Sequence, residues 1–419
     1  MKKFTKLSLV AAVAVAGLTS ANAKPLEEAI KDVEVSGSVV YRYDDSKNEN
    51  KVLNTKSSTQ KNHYKVGLNL ASKVNDYVKF NSRFIVGGLD SGFAALDSSS
   101  NGDTNVDVTL SNAYFALTAI PNTTVNVGKQ GLTTPWTVAV DINGNEQTGT
   151  GALALSTVGP VTVAAGYFNQ TNLGKSGDHP LKDATNAGSA IDYITGGGVV
   201  TNTGSRDIAT AAIIGDLEVV QLEAWYLTMQ DYFKTYTLAA TSNIELAENA
   251  KLGLEARYVN LKLDNELSNA LGIINNSDKK NSLMKFAVNG KFDIVNARIA
   301  YTKTGKHGGL TALDNDAKNT SLGWKITSND VEDANYWQFA LGADILENLN
   351  FTLNYGTLET DFNNASPVKY EEEELYGQLT YKMSKNLTTY VRYGTFESKL
   401  GSIKIDDNTN GRLQVAYTF

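Results

Sequence analysis

Apolar and polar residues alternate with a period of two, again and again, from Asp32 to Phe419. The pattern is clear in Val33, Val35, Val39, Tyr41 and Tyr43, in Tyr64, Val66, Leu68 and Leu70, and in Leu252, Leu254, Ala256 and Tyr258. It returns in Trp337, Phe339, Leu341 and Ala343 and in Phe351, Leu353 and Tyr355. Side chains alternate across a strand, whereas a helix would repeat at three and four residues. The chain is therefore a long series of two-faced strands, and no linker, composition shift or low-complexity break divides it.

The two ends say where such strands would be used. At the C-terminus Leu413, Val415, Tyr417 and Phe419 share one face, and Arg412, Gln414, Ala416 and Thr418 share the other. A final aromatic on an alternating strand looks like the closing strand of a bacterial outer-membrane β-barrel, where it serves as an assembly signal. At the N-terminus Lys2, Lys3 and Lys6 precede a short apolar core over 7–18 and a small-x-small site at Ala21, Asn22 and Ala23. Residues 1–23 read as a cleavable signal peptide, with the mature chain beginning at Lys24. A membrane-spanning helix would need about 20 apolar residues, and no stretch reaches that length.

Composition agrees. An exported chain without cysteine cannot rely on disulfides. Hydrophobic residues make up 42%, with 20 Tyr, 14 Phe and 6 Pro; strands with one face in lipid and one in water need no more. A formal net charge of −7 argues against nucleic acid as a partner.

Connections of two kinds alternate along the chain. Short polar turns are expected near 73–76, 121–123, 158–160, 215–216, 247–249, 293–296, 346–348 and 384–386. Between them lie longer stretches rich in Asp, Asn, Ser, Gly and Lys, such as 44–61, 89–105, 170–206, 264–281 and 305–333. The fold class expected is all-β: one transmembrane antiparallel β-barrel over 24–419, about 18 strands, with short periplasmic turns and long extracellular loops. The brief connection at 229–232 leaves that count open by two. A soluble all-β repeat protein would alternate as well. The arginines separate the two. Of the seven, Arg206 lies in a predicted loop, and Arg42, Arg83, Arg257, Arg298, Arg392 and Arg412 each sit on the polar face of a strand. At the bilayer midplane a lipid-facing arginine costs about 2–4 kcal/mol, so this placement fits a water-filled interior.

Two segments carry a family resemblance. Residues 25–37 followed by Tyr41, Arg42, Tyr43 and Asp44, and then Gly128, Lys129, Gln130, Leu132, Trp136, Thr137, Asp141, Thr150 and Gly151, resemble the Campylobacter-type major outer membrane porin. The likeness implies an 18-stranded trimeric porin, a channel for passive diffusion of ions and small hydrophilic solutes, set in outer-membrane lipid. A surface adhesin whose loops bind host or phage is the alternative for the same barrel.

By position, the loop of about 131–149 after the fifth strand is where porins fold inward to form a constriction. It carries Asp141 and Glu146, expected to face Arg42, Lys65 and Arg83 across the lumen; the plainer alternative is a loop that packs the wall. By the same resemblance Asp141 would be the leading calcium ligand, with an acid from a neighbouring loop such as Asp178 or Asp314. Calcium needs about 6–8 oxygens. No cofactor is required. Enzyme chemistry has no support: His63, His179 and His307 lack ligand spacing, and 169–176 ends like a phosphate loop with Asn169 where the first Gly belongs. The run Glu371, Glu372, Glu373 and Glu374 reads as the wet outer end of a strand.

Overall fold

The computed structural model describes residues 33–88, 91–95, 106–179, 181, 203–273, 275–362 and 368–419. The signal peptide expected over 1–23 lies outside them.

The strands follow in order: β1 (Glu34–Asn50), β2 (Thr55–Asn75), β3 (Val78–Gly87), β4 (Ala94–Ala95), β5 (Asp107–Leu117), β6 (Thr123–Gly131), β7 (Thr148–Val158), β8 (Val161–Thr171), β9 (Ile208–Leu217) and β10 (Val220–Met229). They continue as β11 (Phe233–Ala247), β12 (Ala250–Leu263), β13 (Lys280–Phe292), β14 (Val295–Thr304), β15 (Asn335–Leu346), β16 (Leu349–Phe362), β17 (Val368–Lys382), β18 (Leu387–Leu400) and β19 (Ile403–Thr418). The two residues of β4 pair with β2 and resume the path that β3 leaves at Gly87. The two share one position in the wall, so the barrel has 18 strands.

All neighbours are antiparallel, and the last strand closes on the first. Tyr417 faces Val39, Val415 faces Tyr41, and the register runs on to Asp406 opposite Asn50. Phe419 itself completes the seam: its N–H donates to Gly37 O at 3.0 Å and its carbonyl accepts from Gly37 N at 2.8 Å. Its ring also lies against Gly37, where an added Cβ would meet the Phe419 ring at 2.7 Å. Replacing Phe419 by Ser is expected to lower the amount of folded protein in the outer membrane while leaving export across the inner membrane intact. Normal levels of heat-stable, surface-exposed variant would reduce Phe419 to an ordinary interfacial aromatic.

The eight short connections fall at one end, at 76–77, 118–122, 159–160, 218–219, 248–249, 293–294, 347–348 and 383–386. Seven lie where the sequence places them. The fourth lies beyond Gly215 and Asp216, because Leu217 still pairs with Val220 and the reversal is made by Glu218 at φ 52°. At the other end, residues 230–232 form a brief hairpin turn between β10 and β11, with Asp231 at φ 62°. Residues 44–61 are not a loop. They prolong β1 and β2 into a hairpin turned at 51–54. Both faces of that hairpin meet water, so it needs no apolar stripe and is read as loop by composition.

The outside of the wall is the inverse of a soluble protein. Ile213, Leu238, Phe286, Leu341 and Val391 point outward and are exposed, as a lipid-facing band requires. Tyr301, Trp337, Phe339 and Tyr355 form a chain of ring contacts across neighbouring strands. The dry core is inside the barrel and is one-sided. Trp136, Phe168, Leu173, Leu227, Met229, Phe233, Leu261, Leu267, Leu310 and Leu313 pack together, joining lumen faces of β8 and β10–β12 to inward loops and to a short helix, α1 (Asn265–Ala270). Inward loops thus pack against the β8 and β10–β12 side of the lumen.

Candidate pore constriction

Residues 132–147 leave β6, fold inward and return at β7. Two anchors hold them. At one end the Trp136 ring is fully buried and its Nε1 donates to Thr235 Oγ1 on β11 at 2.9 Å. At the other end Glu146, 1% exposed, accepts from Lys65 Nζ at 2.8 Å, from Arg83 Nε at 3.0 Å and NH2 at 2.9 Å, and from Ser111 Oγ. Burial alone would push this carboxyl up, but Arg83 and Lys65 hold it below the usual carboxylate range. The interaction is a clamp between the loop and the wall formed by β2, β3 and β5.

Between the anchors the tip turns sharply over 141–145. Asp141 Oδ1 accepts from Asn145 N and Oδ2 from Asn145 Nδ2, each at 2.8 Å. Gly144 sits at φ 81°, with the Phe93 ring 2.4 Å from where its Cβ would be, so this turn admits no side chain. Arg42 on β1 reaches the tip: its NH2 donates to Ile142 O at 3.0 Å and its Nε to Gln414 Oε1 at 2.8 Å. The face of Phe93 supports the guanidinium at 4.3 Å.

Two further loops meet this tip. Asp178 Oδ2 accepts from Asn143 Nδ2 at 2.7 Å, and Asp316 Oδ2 accepts from Ile142 N at 2.9 Å. The long loop 305–334 also runs along the first one, with Leu313 N donating to Trp136 O and Asn319 N to Pro135 O. Asp141, Asp178, Asp314 and Asp316 consequently line one recess, together with Ile142, Asn143, Trp324 and Lys325. Asp314 Oδ2 is buried without a hydrogen-bond partner. Burial, then the charges of Asp141 and Asp178, push this carboxyl up to about 8. Asp141 and Asp316 are pushed up as well, chiefly by burial.

The far end of loop 305–334 is fastened to the opposite wall. Glu374, 3% exposed on β17, accepts from Trp324 N at 3.0 Å and Lys325 N at 2.7 Å. Glu374 is therefore no wet strand end: residues alternate, and Glu372 and Glu374 turn inward. Trp324 lies over Arg392 of β18, and Lys325 stands beside Trp324. Arg412 on β19 donates through Nε to Asp44.

The five residues expected at a constriction thus fall into two groups. Asp141 and Arg42 meet at the tip; Glu146, Lys65 and Arg83 are gathered in the buried clamp. Asp316, Lys325, Arg392 and Arg412 belong to the site without having been singled out for it. For the two arginines the signal was there, since both lie on polar strand faces. As a cation site the recess has the right donors, including an orphaned carboxylate oxygen in Asp314. Among the described residues, however, no three acidic or imidazole groups are drawn together at metal-ligand spacing.

The whole chain, residues 1–419, matches the family described as Campylobacter major outer membrane protein. No curated protein matches it. Similar solved structures include Pseudomonas aeruginosa OpdL at 17% identity, covering 92% of this chain and 99% of that one, with a TM-score of 0.68. Acinetobacter baumannii OccAB1 is 14% identical, covers 92% and 96%, and has a TM-score of 0.69. Pseudomonas aeruginosa OpdK, crystallised with vanillate, is 14% identical, covers 92% and 98%, and has a TM-score of 0.67. At these identities the likeness is one of fold.

Proposed function

This chain belongs to the Campylobacter major outer membrane protein family and is an outer-membrane porin, a channel for small solutes; on that premise we propose how the passage is screened. Acids from three loops, Asp141, Asp178 and Asp316, oppose Arg42, Arg412 and Lys325 on and beside the β1 and β17–β19 wall. Opposed charges between low-dielectric walls set up a transverse field, which orients dipolar solutes and sorts ions without binding them tightly. The observation that carries this reading is the recess itself, whose lining brings Asp141, Asp178, Asp314 and Asp316 together with Lys325. Glu146, Lys65 and Arg83 position the loop rather than face the solute.

Asp141→Asn is expected to shift ion preference toward anions, and Arg42→Ser toward cations. Both shifts should be larger at low salt, since screening lengths are about 10 Å at 0.1 M and 3 Å at 1 M. Reversal potentials of purified protein in bilayers measure this. Values unchanged in both variants would remove the tip from the selectivity filter.

A calcium ion is the second element of the proposal. The orphaned Oδ2 of Asp314, with Asp141 and Asp178 nearby, would supply hard oxygen ligands, and the ion's charge would offset the crowding of these acids. Calorimetry with calcium against Asp314→Asn tests it; equal heats from both proteins would refute it. The homotrimer and the removal of residues 1–23 on export rest on the family resemblance and the leader sequence, and chemical cross-linking and N-terminal sequencing test them.

A further inference from the structure

Arg392 differs from Arg42, Arg83, Arg257 and Arg298 in how its guanidinium is used, and shares with Arg412 a single bond made through Nε. Arg83 and Arg257 use their terminal amino groups on Glu146 and Asn319, and Arg42 uses one on Ile142 O. Arg392 donates only through Nε, to Gln378 Oε1 at 2.8 Å. Among the described residues neither of its terminal amino groups meets an acceptor, and the residue is partly open to the lumen.

Its position is nevertheless fixed. The guanidinium carbon lies 5.2 Å from the ring centre of Trp324, 5.1 Å from Tyr376 and 5.5 Å from Tyr390. Trp324 meets Tyr376 edge-on at 5.5 Å, and the backbone N–H of Trp324 is tied to Glu374. A guanidinium with Nε pinned, three rings around it and two free amino groups is a rigid fork. Such a fork matches two oxygens of a planar carboxylate.

The surroundings favour an anion. Arg412 is directly across the strand pair from Arg392, and Lys325 adjoins the same Trp324 ring. Glu374, two residues before Tyr376 on β17, has both oxygens engaged by the backbone N–H groups of Trp324 and Lys325. We propose that Arg392, with Trp324, Tyr376 and Tyr390, forms a binding subsite in the channel for small organic carboxylates, the fork taking the carboxylate and the rings taking a flat apolar body.

This inference rests on the channel reading, and one experiment separates the two. Benzoate is added to single channels in KCl, and the concentration that halves the open current is read for the native chain and for Arg392→Lys. Lys keeps the charge but loses the fork and the flat face. Benzoate should interrupt the native current, and Arg392→Lys should weaken that effect at least about tenfold, the worth of a charge-assisted hydrogen bond. Trp324→Leu, which leaves the arginine in place and opens one side of the cage, should weaken it in the same direction. Equal sensitivity in all three proteins, or none in the native channel, overturns the subsite while leaving the porin intact. A protein with no salt conductance would overturn the channel reading itself.

Discussion

Glu146→Ala should free one end of the inward loop, turning a steady channel into one of larger and fluctuating conductance. The side chain is buried between two cations, Lys65 and Arg83, and takes a further bond from Ser111. Without it the two positive groups remain side by side in a dry pocket with no counter-charge. Removing one partner of a buried ion pair costs about 3–5 kcal/mol, and here the loop can escape much of that cost by lifting away and letting water in. The Trp136 anchor is distant from this change and keeps its bond to Thr235, so the loop should swing rather than unfold. Single-channel traces of the variant should show openings larger than native with rapid transitions between levels. Limited proteolysis should cut within 132–147 where the native chain resists. Glu146→Gln keeps one acceptor and should fall between the two. If Glu146 acted instead as a field charge, the Gln variant would move the reversal potential and leave the openings steady.

That distinction shows where sequence reasoning reaches its limit. The strands, the short turns and the inward-facing arginines were legible, because period two and the cost of charge in lipid act on each residue separately. Which acid on a loop faces water and which is clamped depends on partners far away in sequence, such as Ser111 for Glu146 and Asp178 for the Asp141 tip. Glu371 to Glu374 look alike in a row, yet alternation turns Glu374 onto a loop some 50 residues distant, and nothing local marks it. The dry interior was hidden for another reason. Leu227 is buried inside while the neighbouring Tyr226 is exposed outside, so apolar residues occupy both faces of β10 and the period of two fades where loops pack against the wall. In the outer hairpin of β1 and β2 the same signal fails in the opposite way, because both faces are polar.

Gly323→Ala should displace the second inward loop as thoroughly as Glu146→Ala displaces the first, through space rather than charge. A Cβ on Gly323 would lie 1.6 Å from Glu374 Oε1 and 2.7 Å from Tyr336 Oη. Neither neighbour can yield: Tyr336 is fully buried, and Glu374 is held by the N–H groups of Trp324 and Lys325. The loop end must therefore rise off β17, taking Lys325 out of the recess and Trp324 off Arg392. The expected result is a wider passage whose reversal potential moves toward cations, because a positive charge has left its wall. Glu374→Ala should give a similar channel by removing the acceptor that fastens the loop. The decisive measurement is the double variant. If the two side chains compete for one space, Gly323→Ala added to Glu374→Ala should change conductance and thermal stability little further, since contacting residues are not additive. Effects that simply sum would mean that Gly323 and Glu374 act at separate points, and that the loop is held to the wall by something other than this carboxylate.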